Sequence, residues 1–204
     1  MSEMPCISCF DMPSQLVDIS RREALRYLGY RSFEEGEAVS ARLAALEAQL
    51  RGQMICRACF VQYPILREGA QLCLGGFSTE SRDLARNLED CDRVVLFAAT
   101  LGAGVDRLIA RNGRISTADG VMTDALASAA VEGFCDAVEA FATKGQPHRP
   151  RFSPGYGDLP LAFQQSLLGA TDASRKIGLT LTESLMMVPT KSVTAIIGLK
   201  VKNF

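Results

Sequence analysis

Between Arg93 and Leu101 the chain reads RVVLFAATL, an apolar run with none of the alternation that marks a strand with one wet face. Such a strand is buried on both sides, so the fold must place it centrally in a sheet and cover that sheet twice. The flanking sequence supplies the covering layers. Ser20 with Glu23 forms a capping box, Leu25 and Leu28 give an apolar face, and Gly29 offers a stop, which predicts a first helix. Val39, Leu43, Leu46 and Leu50 recur at helical spacing within Phe33–Leu50. A helix from Gly104 to Arg111 and a long one from Ser116, capped with Asp119, to Thr143 and Gly145 follow. Strands are expected at Met54–Leu66, where Pro64 suits an edge, and at Ala70–Gly75, Leu179–Ser184 and Ser192–Val201. Further helices are expected from Ser78 or Thr79 to Asp90, at Leu161–Leu168 and at Asp172–Lys176. Helices come first and strands are then interleaved with helices, which argues an α+β fold rather than a regular βαβ array. Residues 1–15, with Pro5 and Pro13, read as an irregular lead-in, and 16–204 as one domain.

Charge narrows the function classes. The 22 Lys and Arg balance 23 Asp and Glu, so the basic excess that drives non-specific nucleic-acid binding is missing. The balance is uneven: residues 144–204 hold eight basic and three acidic residues, and residues 1–143 hold fourteen and twenty. The C-terminal part is therefore the better host for an anionic group. The longest charge-free run, Leu159–Thr171, has 13 residues and is too short to span a bilayer. The N-terminus shows no signal-peptide pattern, and the seven cysteines form an odd set, so the expectation is a cytoplasmic protein with reduced thiols.

Several constellations could carry chemistry. Gly102-Ala103-Gly104 follows the buried run where a dinucleotide fingerprint would sit, but the third small position is Arg107, so a tight turn is the preferred reading. The pairs Cys6/Cys9 and Cys56/Cys59 together offer four thiolates for zinc, yet Cys56 and Cys59 fall in a predicted strand, where residues three apart point to opposite faces. The single histidine, His148, reads as an exposed loop residue. The richest segment is Arg151-Phe152-Ser153-Pro154-Gly155-Tyr156-Gly157-Asp158 in a Pro- and Gly-rich loop: a guanidinium to fork onto a carboxylate, a backbone made to turn, and an aromatic face. Upstream, Asp124, Ser128, Glu132, Asp136 and Glu139 share one face of the long helix, so a carboxylate could meet an ammonium group, although a solvated acidic stripe is the simpler reading.

These residues carry a family resemblance. Arg151, Gly155 and Tyr156, then Leu181-Thr182-Glu183-Ser184, then Met187 and Pro189, and finally Ser192 and Val193, stand in the order found in the activation domain of cobalamin-dependent methionine synthase. The helix segment through Glu132-Gly133-Phe134 is also similar. The likeness covers about residues 94–199 well and 16–93 loosely. It implies a single C-shaped α+β domain with a mixed or antiparallel sheet flanked by helices. It also implies binding of S-adenosylmethionine, with Arg151 on the methionyl carboxylate, Glu132 on the α-ammonium, the backbone around Ser153 and Gly155 lining the ligand, and Tyr156 alongside. The implied role is reductive methylation of cobalamin carried by a separate corrinoid protein or methionine synthase subunit. A flavodoxin-like or other electron donor would serve it, and the chain itself would be a free-standing activation subunit. Asp18 is the nearest candidate for the family's early acidic contact, and Glu183 could touch ligand or stabilise the sheet. The competing expectation is a non-catalytic metal-binding or interaction adaptor built on the CxxC pairs; a third keeps the family but assigns a different corrinoid methyltransferase.

Overall fold

The computed structural model describes residues 6–31 and 35–200. In chain order the elements are β1 (Ser8–Met12), a 3-10 turn at Ser14–Leu16, α1 (Arg21–Tyr27), α2 (Glu37–Arg51), β2 (Cys56–Glu68), β3 (Gln71–Leu74), β4 (Phe77–Thr79), α3 (Arg82–Asn87) and β5 (Cys91–Thr100). Then come α4 (Ala103–Ile115), α5 (Thr117–Thr143), α6 (Phe163–Thr171), α7 (Ala173–Ile177), β6 (Thr180–Leu181), β7 (Met187–Val188) and β8 (Ser192–Lys200). The fold is α+β. Its main sheet runs β4-β3-β2-β5-β8, with β1 also paired to β2, and every pairing is antiparallel.

The apolar run becomes β5, flanked by the two longest partner strands, β2 and β8. Its side chains split by the two-residue period of a strand. Val95, Phe97 and Ala99 join Leu25, Leu43, Leu46, Leu126, Phe134 and Val138 in a core beneath α1, α2, α4 and α5. Val94 and Leu96 enter a second core with Leu84, Leu88, Phe163 and Leu167 from α3 and α6. Cys59 and Ala98 pack beneath α7 with Ala173 and Ile177. Among the described residues, no helix is long and apolar enough to cross a membrane.

Several local expectations are corrected. The lead-in is partly regular: Ser8–Met12 pairs with Phe60–Cys56 and so completes an edge of β2 that would otherwise expose its backbone groups. β1 serves the first half of that edge and β3 the second, leaving 61–64 between them, and Pro64 sits in this gap. Phe77–Thr79 is a strand, so α3 starts later than expected, with the Ser81 hydroxyl accepting from the Leu84 N–H at 3.1 Å. The expected strand at Leu179–Ser184 shortens to a two-residue ribbon with β7, because Thr182 closes a turn: its hydroxyl accepts from the Met186 N–H at 3.0 Å. The expected helix start at Phe33 and strand end at Val201 lie outside the described residues.

Gly133 lets α5 meet the connection between β1 and α1. A Cβ built there would stand 1.9 Å from the Asp18 carbonyl oxygen, a contact with rigid backbone. By contrast, a Cβ at Gly169 in α6 meets nothing within 4 Å. We therefore expect Gly133→Ala to lower stability by about 1–3 kcal/mol, as overpacking does. Gly169→Ala should raise it by up to about 1 kcal/mol through helix propensity. Urea unfolding of the two variants checks both signs.

Candidate functional site

The Pro- and Gly-rich loop follows β8 in its first half. The Arg149 N–H donates to the Gly198 carbonyl at 2.8 Å, Lys200 N–H to Pro147 at 2.9 Å, and Phe152 and Ile196 exchange both of their bonds at 2.9 and 2.8 Å. The segment so behaves as a strand laid along the sheet edge, and its side chains alternate. Phe152 turns into the core shared with Leu159 and Phe163. Arg151, next in line, lies on the other face, against α5.

There Arg151 meets three carboxylates. Its Nη1 donates to Asp136 Oδ1 at 2.7 Å and Glu139 Oε2 at 3.0 Å, and its Nη2 to Glu132 Oε2 at 3.2 Å. The side chain is only 21% exposed. Burial works against the charge, but the Asp136 hydrogen bond and the surrounding negative groups outweigh it and raise the guanidinium pKa. Below this ring system, burial drives the Cys135 thiol far up, so it is an inert core residue.

His148 belongs to the same network instead of standing free in a loop. Its Nε2 lies 2.8 Å from Glu139 Oε1 and its Nδ1 2.9 Å from the Gln146 carbonyl. Two acceptors suit an imidazolium, which donates from both nitrogens. The Gln146 carbonyl first, and then Glu139, raise the His148 pKa against the opposing effect of burial. Farther along the helix, Lys191 donates to Ser128 Oγ and lies 2.9 Å from Asp124 Oδ1. The acidic face of α5 is therefore not a solvated stripe: His148, Arg151 and Lys191, all C-terminal to the helix, zip along it. The charge asymmetry of the sequence is in good part internal complementarity, and fewer C-terminal cations are left for an outside anion than the count suggests.

Beside Arg151 opens a cavity of about 380 Å³ lined by Glu132, Asp136, Glu139, Pro150, Arg151, Ser153, Tyr156 and Val193. Four of the five residues expected at a ligand site, Glu132, Arg151, Ser153 and Tyr156, share this wall. Tyr156 is 68% exposed, its ring free of the core. Gly155 does not line the cavity; it makes the turn, with φ 91° and its N–H donating to the Leu159 carbonyl at 2.9 Å. The turn is anchored by Asp158, whose carboxylate accepts from the Ser81 hydroxyl and from the N–H groups of Arg82 at 2.8 Å and Asp83 at 3.2 Å. The Ser81 bond first, and then the Arg82 N–H, hold the Asp158 carboxyl below its ordinary range. Gly157 is required there: φ is 53°, and a Cβ would fall 2.3 Å from Asp83 Oδ2.

Asp136 and Glu139, which line the cavity, and His148, which holds Glu139, are members of the candidate site that sequence reasoning left as background. The helix-face spacing of 4-4-4-3 marked the two carboxylates, but their partners Arg151 and His148 lay nine or more residues away along an irregular loop. Asp18 is exposed and its backbone abuts Gly133, next to Glu132, yet it does not line the cavity. Glu183 is exposed at the tip of the β6–β7 ribbon, away from the main sheet and from this cavity. Gly102 and Gly104 form a tight turn against Ile55 and Gln53. Cys56 faces the α5 core and Cys59 the α7 side, so the four thiols of the CxxC pairs do not gather at one point, and among the described residues no three metal-ligating side chains gather as a site.

The raised His148 pKa has a definite sign. Its contribution to stability is full below about pH 6.5, the free imidazole value, and is lost as pH rises through the folded-state pKa. His148→Ala should thus cost more in urea midpoint at about pH 5.5 than at about pH 9, whereas an equal deficit at both would mean packing rather than charge.

Neither a family model nor a curated protein matches the sequence. Among solved structures, the chain is similar to the crystal structure of the MetH reactivation domain bound to AdoHcy, with a TM-score of 0.71 at 16% identity, over 99% of this chain and 81% of that one. At that identity the likeness is one of fold: this chain has the fold of the MetH reactivation domain.

Proposed function

We propose that the chain binds S-adenosylmethionine at the Arg151 cavity and acts as an activation subunit for cobalamin held by a separate corrinoid protein, in a split cobalamin-dependent methionine synthase. The observation that carries this reading is the convergence of Arg151, Glu132, Ser153 and Tyr156 on one open cavity. Its fold is that of a domain solved with AdoHcy, the demethylated form of the same ligand.

The donor set fits a methionyl group. A guanidinium forks onto a carboxylate, the α5 carboxylates accept from an ammonium, and the exposed Tyr156 ring offers its negative face to a sulfonium. Ligand entry is an exchange of partners. The ligand carboxylate takes a place on Arg151 now filled by Glu132 or Asp136, and the released side chain takes the ligand ammonium. No charge is left unpaired, so the cost of breaking the resting pairs is offset at once. Glu139 stays with His148 and keeps the guanidinium oriented. When bound by the partner, the corrinoid supplies the reducible cobalt that accepts the methyl group, and a flavodoxin-like or other donor supplies the electron. This chain contributes position: it holds the methionyl end rigidly between a helix and a sheet edge and leaves the sulfonium side open.

The test is calorimetric titration with S-adenosylmethionine. Arg151→Ala should weaken binding by about 2 kcal/mol, or roughly thirtyfold, the loss expected for a charged hydrogen-bonded pair. The wall holds three carboxylates against one guanidinium, so the cationic ligand should bind more tightly than its neutral-sulfur product AdoHcy, with an advantage that shrinks as salt is added. Absence of binding by the unaltered chain at millimolar ligand would refute the assignment.

A further inference from the structure

The CxxC pairs play no part in the cavity at Arg151, but the sheet places one cysteine of each directly opposite the other. Cys9 of β1 faces Cys59 of β2 in the antiparallel register. Residues so paired keep their Cα atoms about 4.5–5.5 Å apart with both side chains on one face. That lies inside the roughly 4.4–6.8 Å window of a disulfide. The packing identifies the face. Cys59 sits with Ala98, Ala173 and Ile177, and Ile7, two residues before Cys9, packs on the same cluster.

The two thiols are unequal. Cys9 is exposed and Cys59 fully buried. Cys9 opens on a cavity of about 660 Å³, whose wall includes Cys6, Val61, Gln62, Arg93 and Lys144. This cavity lies where the edge of β2 away from β5 is left unpaired between β1 and β3.

We propose that Cys9 and Cys59 form a redox-active dithiol, converted to a cross-strand disulfide by a low-molecular-weight disulfide that reaches the exposed Cys9. The Cys9 thiolate attacks one sulfur of the incoming reagent, breaks its S–S bond, expels one thiolate and leaves a mixed disulfide on Cys9. The Cys59 thiolate then attacks the Cys9 sulfur, forms the Cys9–Cys59 bond and expels the second thiolate. The protons given up by the two cysteines pass to the two expelled thiolates; the protein loses two electrons and the reagent gains them. Burial pushes the Cys59 thiol up to about 12, which makes it the slow, resolving partner. The bond fastens β1, whose Phe10 ring stacks on Phe134 and Phe141 of α5, to the centre of the sheet.

The experiment treats the full chain with oxidised glutathione, quenches with acid and maps disulfides by mass spectrometry without reduction. The expected product is a Cys9–Cys59 linkage in the unaltered chain and in Cys6→Ser. Cys59→Ser should stop at one glutathionyl adduct on Cys9. A Cys6–Cys9 linkage, or an unaltered chain with no internal disulfide after prolonged exposure, overturns the proposal without reference to any variant's folding.

Discussion

A guanidinium four-fifths removed from water keeps its charge at a cost that only partnering anions offset, and Arg151 has three. Those three can gather because Glu132, Asp136 and Glu139 stand on one face of an uninterrupted helix, at spacings that stack side chains within reach of a single point. The guanidinium can reach them only because the loop that carries it is hydrogen-bonded along β8. One cluster therefore ties the longest helix to the sheet edge. It also uses the imbalance between an acidic N-terminal part and a basic C-terminal one. An isolated surface ion pair contributes little to stability. A half-buried network with a shared cation differs, because loss of the cation leaves several carboxylates facing one another.

The cluster depends in turn on close backbone approaches elsewhere. Gly133 admits the Asp18 carbonyl against α5 and so sets the helix one residue from Glu132. Asp158 and Gly157 pin the far end of the loop to the start of α3, so that Arg151 is held at both ends of its segment: by the β8 ladder before it and by the Asp158 anchor after it. A cluster of this kind is preorganised by its scaffold, and under the proposed function a ligand with a carboxylate and an ammonium has only to exchange partners within it.

Much of this was legible in the residues. The uninterrupted apolar run announced β5, and the helical stripes announced α2 and α5, because burial on one or two faces writes its period directly into the sequence. The capping serines at 20 and 116 were equally plain: each accepts from the N–H three residues on. The site residues Glu132, Arg151, Ser153 and Tyr156 came from an ordered resemblance, and the fold places them together. What escaped was non-local. β1 pairs with a strand more than forty residues away and carries no periodicity of its own over five residues. His148 looked exposed because its partner Glu139 lies across a helix end, and the Cys9–Cys59 juxtaposition depends on strand register, which spacing within a CxxC motif does not encode.

The most direct test of the central claim is a crystal structure of the chain with bound S-adenosylmethionine. The ligand carboxylate is expected on Arg151, its ammonium on the α5 carboxylates, with the Glu139–His148 contact retained and Tyr156 beside the sulfonium. Ligand bound elsewhere on the molecule, with Arg151 still holding Glu132, Asp136 and Glu139, would contradict it.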